Sequence, residues 1–219
     1  MAQQARAVVT RAAIISGAAA VFQQRGYGST SLADVCAAAS VTKGALYFHF
    51  DSKEALARAI IEAQHEASSA IGRNLVDAHM LGLNAMIVMS LEIADQLHNN
   101  PVVSAGVRLT IEAANFESPV DAPYLDWMKA AEEFLRRGQA EGDIAGSVEV
   151  CTAAHFIISA FTGVQVISDV LTRREDIQQR LVEMWGMLLP GLVPAERLAD
   201  LRILPDSIRA SRLAATPQA

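Results

Sequence analysis

Apolar residues recur at helical spacing along most of this 219-residue chain, and the alternation expected of strands is almost absent. Val8, Ala12, Ile15, Ala19 and Phe22 step by four and three and form one stripe, and Gly26 stops that helix. Tyr27 opens the connection. Ser29 and Thr30 offer N-caps for a short second helix, with Leu32, Val35 and Cys36 at one-turn spacing. Ala39-Ser40-Val41 breaks that helix, and Thr42 caps another that carries Lys43, Gly44 and Tyr47, with His49 on it or just past its end. Ser52 caps a longer helix over about 53–77, with Leu56, Ile60, Ala63, Ala67, Ile71 and Leu75 on one face. Helical patterns follow over 84–98, 101–113, 121–141, 147–171, 174–189 and 195–210. Their breaks are Asn99-Asn100-Pro101, Ser118-Pro119, Glu141-Gly142-Asp143, Thr172-Arg173 and Pro190-Gly191. The pattern predicts an all-α protein of nine or ten helices, with a mobile loop over 114–123 and a frayed tail after 211.

Two short helices joined by a tight turn, the second bearing a cation and an aromatic hydroxyl, read as a helix-turn-helix. Such a module lays its second helix in the major groove of DNA. The net charge of −6 does not advertise nucleic-acid binding, but the charge is uneven. Residues 1–58 hold six basic and three acidic groups, so the head is mildly positive and the rest of the chain carries all of the acidic excess.

The 147–171 segment is apolar over a wide arc, through Val150, Ala154, Ile157, Ile158, Phe161, Val164 and Ile167, which predicts burial on more than one side. His155, Ser159, Thr162 and Asp169 share a polar stripe on it, with Gln165 beside them. A polar stripe on a buried helix needs partners, either a polar ligand in a cavity or a symmetric helix pairing across a dimer. The same polar positions argue against a membrane span, and the polar N-terminus lacks the apolar run of a signal peptide, so the protein is expected in the cytoplasm. Cys36 and Cys151 lie in apolar helical patterns, without disulfide or zinc spacing, and are expected to be buried thiols. His155 lies one turn from both Cys151 and Ser159, but no third orienting group stands out, and there is no phosphate-cradling glycine loop or H-E-x-x-H motif. Neither an enzyme nor a metal or cofactor site is expected.

The stretch from Arg11 to Glu54, through RGYGSTSLADV at 25–35, VTKGALYFHF at 41–50 and the Lys53-Glu54 pair, resembles the N-terminal domain of TetR-type repressors. KGALYFHF, the Trp of YLDWMKAAEEFL at 124–135 and EMWGMLLPGLVP at 183–194 are similar to the γ-butyrolactone receptors, the signal-responsive repressors of antibiotic-producing filamentous bacteria. The resemblance implies a homodimer on a pseudo-palindromic operator in double-stranded DNA, with residues 1–52 as the DNA-binding domain and 53–215 as the ligand-binding and dimerisation domain. Thr42, Lys43, Gly44, Tyr47 and His49 are then the DNA-contacting candidates. It also implies that the 147–171 helix both pairs with its mate and lines a pocket for a small amphipathic inducer. Val88, Leu91, Leu109, Ile158 and Phe161 are the candidate walls, with Gln64, Trp127 and Thr162 as polar candidates. Each polar candidate has a plainer reading: solvent exposure for Gln64, core packing for Trp127, and a bond to its own helix for Thr162. A TetR-like regulator without an effector is the remaining alternative.

Overall fold

The computed structural model describes residues 2–113 and 116–215. Among the described residues there are eleven α-helices and no strand. They are α1 (Ala2–Arg25), α2 (Leu32–Ala39), α3 (Lys43–His49), α4 (Lys53–Asp77), α5 (Gly82–Asn99), α6 (Pro101–Glu112), α7 (Ala122–Glu141), α8 (Val150–Thr172), α9 (Ile177–Leu192), α10 (Leu198–Leu201) and α11 (Leu204–Ala215). Helices form two compact units: residues 1–69 with 96–120, and residues 70–95 with 121–219. Because α4 and α5 each contribute to both, the units interleave in sequence.

In the first unit, α1 packs on α2 and α6. Its buried stripe is Ile14, Ala18, Ala19 and Phe22, all fully buried, whereas Val8 is 65% exposed. The stripe expected from periodicity is therefore right only near its C-terminal end. Val35, Leu46, Phe50, Leu56, Ile60 and Leu109 complete this core. Gly26 ends α1 at φ +76°, where glycine carries no penalty. A Cβ at Gly26 would also press on the Arg108 guanidinium at 2.8 Å and the Glu112 carboxylate at 2.9 Å. That pair grips the turn. Arg108 donates to the Gln23 carbonyl at 2.7 Å and to Glu112 at 2.8 Å, and Glu112 accepts the Tyr27 N–H at 2.6 Å.

The cap of α2 is Ser31, in a reciprocal capping box with Asp34, rather than Ser29 or Thr30. Thr30 is buried and its hydroxyl donates to the Gly26 carbonyl at 2.7 Å. The expected loop is tied down where it is described. The Glu117 N–H donates to Glu54 at 3.0 Å, and Arg58 donates to the Ser118 carbonyl at 2.6 Å. Residues 114 and 115 lie outside the described part.

In the second unit, α7 packs on α8 and α8 on α9. Trp185 is core, 1% exposed, and its indole N–H donates to Ser90 Oγ at 3.0 Å. Helix α9 runs through Pro190, past the expected break, and ends two residues later at Leu192. The pattern over 195–210 resolves into two helices, with Pro205 in the first turn of α11. Arg212 pins α11 by ion pairs to Glu92 and Asp95 of α5. The tail expected to fray after 211 is instead helical through Ala215, held by the Arg212 ion pairs, and the rest of it, 216–219, lies outside the described residues.

Two expectations fail in α8. It buries one side only, through Ala154, Ile157, Gln165 and Ser168, while Phe156, Ile167, Val170 and Leu171 are 50–76% exposed. Of the polar stripe, His155, Ser159 and Asp169 are exposed and Thr162 is half-buried, so the stripe faces outward rather than into a core. Likewise Cys151 is exposed and Cys36 half-buried; neither is a core thiol. Gln4–Arg25 and Val150–Thr172 have the length and apolarity to cross a bilayer on composition alone.

Gly17 brings α1 against α2 so closely that a Cβ there would lie 2.7 Å from the Ala39 backbone. Gly17→Ala is expected to cost about 1–3 kcal/mol of stability by overpacking, measured by denaturant unfolding.

Candidate functional site

Helix α3 is short and needs both ends secured. At its start Thr42 Oγ1 accepts the Ala45 N–H at 3.1 Å. At its end the Phe50 N–H returns to the Leu46 carbonyl at 2.9 Å. Leu46 and Phe50, four residues apart, sink into the core, and this turns the opposite face outward. Lys43, Gly44, Tyr47 and Phe48 occupy that exposed face, and His49 is half-buried beside it. The Lys43 ammonium lies over the Tyr47 ring, 5.8 Å from its centroid. Nothing in the protein demands glycine at position 44, since a Cβ there would meet only Thr42 Oγ1, at 4.0 Å. The structure thus brings the five DNA-contact candidates together on one short segment, with the Thr42 hydroxyl already accepting as a cap.

Phe48 was missed by sequence reasoning, and at 79% exposure it stands further into solvent than Tyr47 at 45%. The signal was available: Leu46 and Phe50 define the inner face, so the residue midway between them points out. Lys53, although basic and adjacent, is not free for a partner. Its ammonium donates to the Tyr27 and Thr30 carbonyls at 2.9 and 3.1 Å and covers the Tyr27 ring.

Two carboxylates brace the head. Hydrogen bonds from Ser31, then the Arg25 charge, hold the Asp34 carboxyl below its ordinary range. The Glu117 N–H, then Arg58, does the same for Glu54.

The pocket candidates fall in both units. Gln64 and Leu109 belong to the first. Leu109 is a fully buried member of the head core. Gln64 is also fully buried rather than solvated: its amide donates to Ser68 Oγ at 2.8 Å, and its Oε1 is buried with no hydrogen-bonding partner. A Cβ on Gly106 of α6 would come within 2.3 Å of the Gln64 side chain. In the second unit, Leu91 is fully buried, and Val88, Trp127, Ile158, Phe161 and Thr162 are half-buried. Trp127 packs edge-on against Tyr124 at 5.2 Å. The Thr162 hydroxyl donates to the Ile158 carbonyl at 2.9 Å, the bond to its own helix that such a residue readily makes. A separate open groove, lined by Ala160, Gly163, Val164, Ile167, Met184 and Met187, runs along α8 and α9.

Residues 14–60 match the family model for bacterial regulatory proteins of the tetR family, and residues 80–194 match that for the tetracyclin repressor-like C-terminal domain. The A-factor receptor protein of Streptomyces griseus is 34% identical over 204 residues, which cover 92% of this chain and 70% of that protein. The chain belongs to the TetR family of transcriptional regulators. Among solved structures, a γ-butyrolactone receptor described as ArpA-like is 34% identical, with a TM-score of 0.81 over 94% of this chain and 99% of that one. Another TetR protein, CprB of Streptomyces coelicolor, solved in complex with its operator, is 34% identical with a TM-score of 0.76, over 94% and 99% of the two chains. In this TetR head, then, α2 and α3 lie within the matched helix-turn-helix domain.

Because Asp34 and Glu54 bind protons less readily folded than unfolded, the stability they give is full above the ordinary carboxylate range and is lost as the pH falls from there through the lower value each has in the folded state. Wild type should therefore melt higher than Asp34→Asn/Glu54→Gln at neutral pH, and the gap should close on acidification. A gap that widens in acid contradicts this account.

Proposed function

We propose that this protein is a homodimeric repressor released from its operator by a small amphipathic signal of the γ-butyrolactone, butenolide or furan class. The observation that carries the reading is the exposed Lys43-Gly44-Tyr47 face on a helix anchored through Leu46, in a TetR chain similar to an A-factor receptor over 92% of its length. Lys43 and Tyr47 supply phosphate-contacting donors, Gly44 allows close approach of the sugar–phosphate backbone, and Thr42 and His49 flank them. Two such heads read successive major grooves about one helical turn (~34 Å) apart. Residues 1–52 act as the DNA-binding domain and 53–215 as the ligand-binding and dimerising domain. The action is cytoplasmic.

Dimer formation is supported by the apolar stripe Phe156, Ile167, Val170 and Leu171 with Met187, which a monomer leaves in water. It fits a second copy better than a bilayer in a family of DNA-binding regulators. Trp127, offering both a wall and an N–H donor, is our first candidate for inducer contact among the residues of the second unit. The buried, unpaired Gln64 Oε1 supports a polar ligand as well, since an orphan acceptor costs about 1–3 kcal/mol. The inducer acts only by preferring the state that does not fit the operator.

Lys43→Ala/Tyr47→Phe is expected to weaken operator binding in gel-shift titrations and to flatten its salt dependence by about one unit of slope, with inducer affinity unchanged. Undiminished operator binding sinks the assignment of α3. Trp127→Ala, first checked for folding because a lost buried aromatic can cost up to ~3–5 kcal/mol, should still bind operator but no longer release it when a γ-butyrolactone is added. Release at the wild-type concentration removes Trp127 from the site. Sedimentation should show a dimer at micromolar concentration, and a stable monomer refutes the α8–α9 interface.

A further inference from the structure

Helix α8 carries Cys151 and His155 one turn apart, and α7 brings Glu132 to them. Cys151 Sγ and His155 Nε2 lie 3.6 Å apart, and a Glu132 carboxylate oxygen completes a set whose atoms are all within 4.8 Å of one another. We propose that Glu132, Cys151 and His155 form a binding site for a borderline-soft divalent cation, represented by Zn²⁺.

Three features carry this. The first is spacing. A tetrahedral ion with Zn–S of about 2.3 Å and Zn–N of about 2.0 Å holds its sulfur and nitrogen about 3.5 Å apart, so the cysteine and histidine already sit at ligand separation. The second is donor type. A thiolate, an imidazole and a carboxylate select zinc-like ions over magnesium or calcium, which take oxygen. The third is support. Arg136 donates to Glu132 Oε2 at 2.5 Å, orienting the carboxylate, while the Glu149 carboxylate is engaged by the Thr152 N–H and hydroxyl at 2.9 Å and does not compete. The Glu132 oxygen, within 4.8 Å of both partners, is at most about 1.3 Å beyond the ~3.5 Å separation of ligands on one ion, and a fourth position stays open for water. The site is distinct from the apolar stripe of α8. At 3.6 residues per turn, Cys151 and His155 lie roughly 120° round the helix from Phe156, Gly163 and Ile167. Binding releases the thiol proton, and the bound ion ties α7 to α8.

Full-length, reduced, chelator-treated protein should be titrated with Co²⁺ and then Zn²⁺. One equivalent of Co²⁺ per chain should give thiolate-to-cobalt charge-transfer absorption, displaced by Zn²⁺. Cys151→Ser should abolish this absorption and Cys36→Ser should retain it. Zn²⁺ affinity in His155→Ala should fall by at least about 100-fold, more than loss of an outer-sphere partner costs, and Glu132→Gln should weaken binding without removing the band. Circular dichroism should be unchanged, because both α8 side chains are exposed. No thiolate band in wild type, a band that survives Cys151→Ser, or unaltered affinity in Glu132→Gln overturns the proposal.

Discussion

The grip of α6 on the turn after α1 is the constraint on which the DNA-binding head depends. Arg108 takes the Gln23 carbonyl, one of the acceptors a helix end leaves unpaired, and Glu112 takes the Tyr27 N–H. Only glycine fits between them at position 26, for reasons both of backbone angle and of space. The helix-turn-helix is thus not built from the first fifty residues alone. A segment some eighty residues further along the chain sets the end of α1, and through Tyr27 and Lys53 the start of α4.

Around that grip the polar groups of the head are satisfied in pairs. Ser31 and Asp34 cap α2, Glu54 and Arg58 hold residues 116–118, and Lys53 takes two carbonyls. Each cation or carboxylate used in this way is unavailable to DNA. What remains exposed on α3 is a small set: Lys43, Gly44, Tyr47 and the aromatic Phe48. A net-acidic protein can present a DNA-binding face this way because Lys43, the basic side chain exposed on α3, stands beside the open backbone at Gly44.

Close approach without side chains also recurs where helices cross. Gly17 admits Ala39, Gly106 admits Gln64, and Gly82 admits the backbone of Phe134 and Gly138. These crossings leave little slack, and packed interfaces of this kind favour discrete arrangements over continuous deformation. The buried Gln64–Ser68 pair on α4 belongs to the same set, a polar pair facing the crossing with α6.

The sequence by itself determined the helices and their caps wherever local rules are strong. Gly26, Thr42, Ser52 and Pro101 mark boundaries that the structure keeps, and α4 spans Lys53–Asp77 as its periodicity requires. The exposed face of α3 was legible too, because a short capped helix with two inner apolar positions leaves its other residues outside. Burial was not legible. Gln64 reads as a solvated residue and is fully enclosed, while the apolar arc of α8 reads as core and is half in the open. Side-chain chemistry sets the cost of burial, but only the packing of distant segments decides which face is covered. For the same reason Cys151 passed for a core thiol: that it is exposed, with His155 and Glu132 beside it, follows from how α7 lies on α8, which no local pattern encodes.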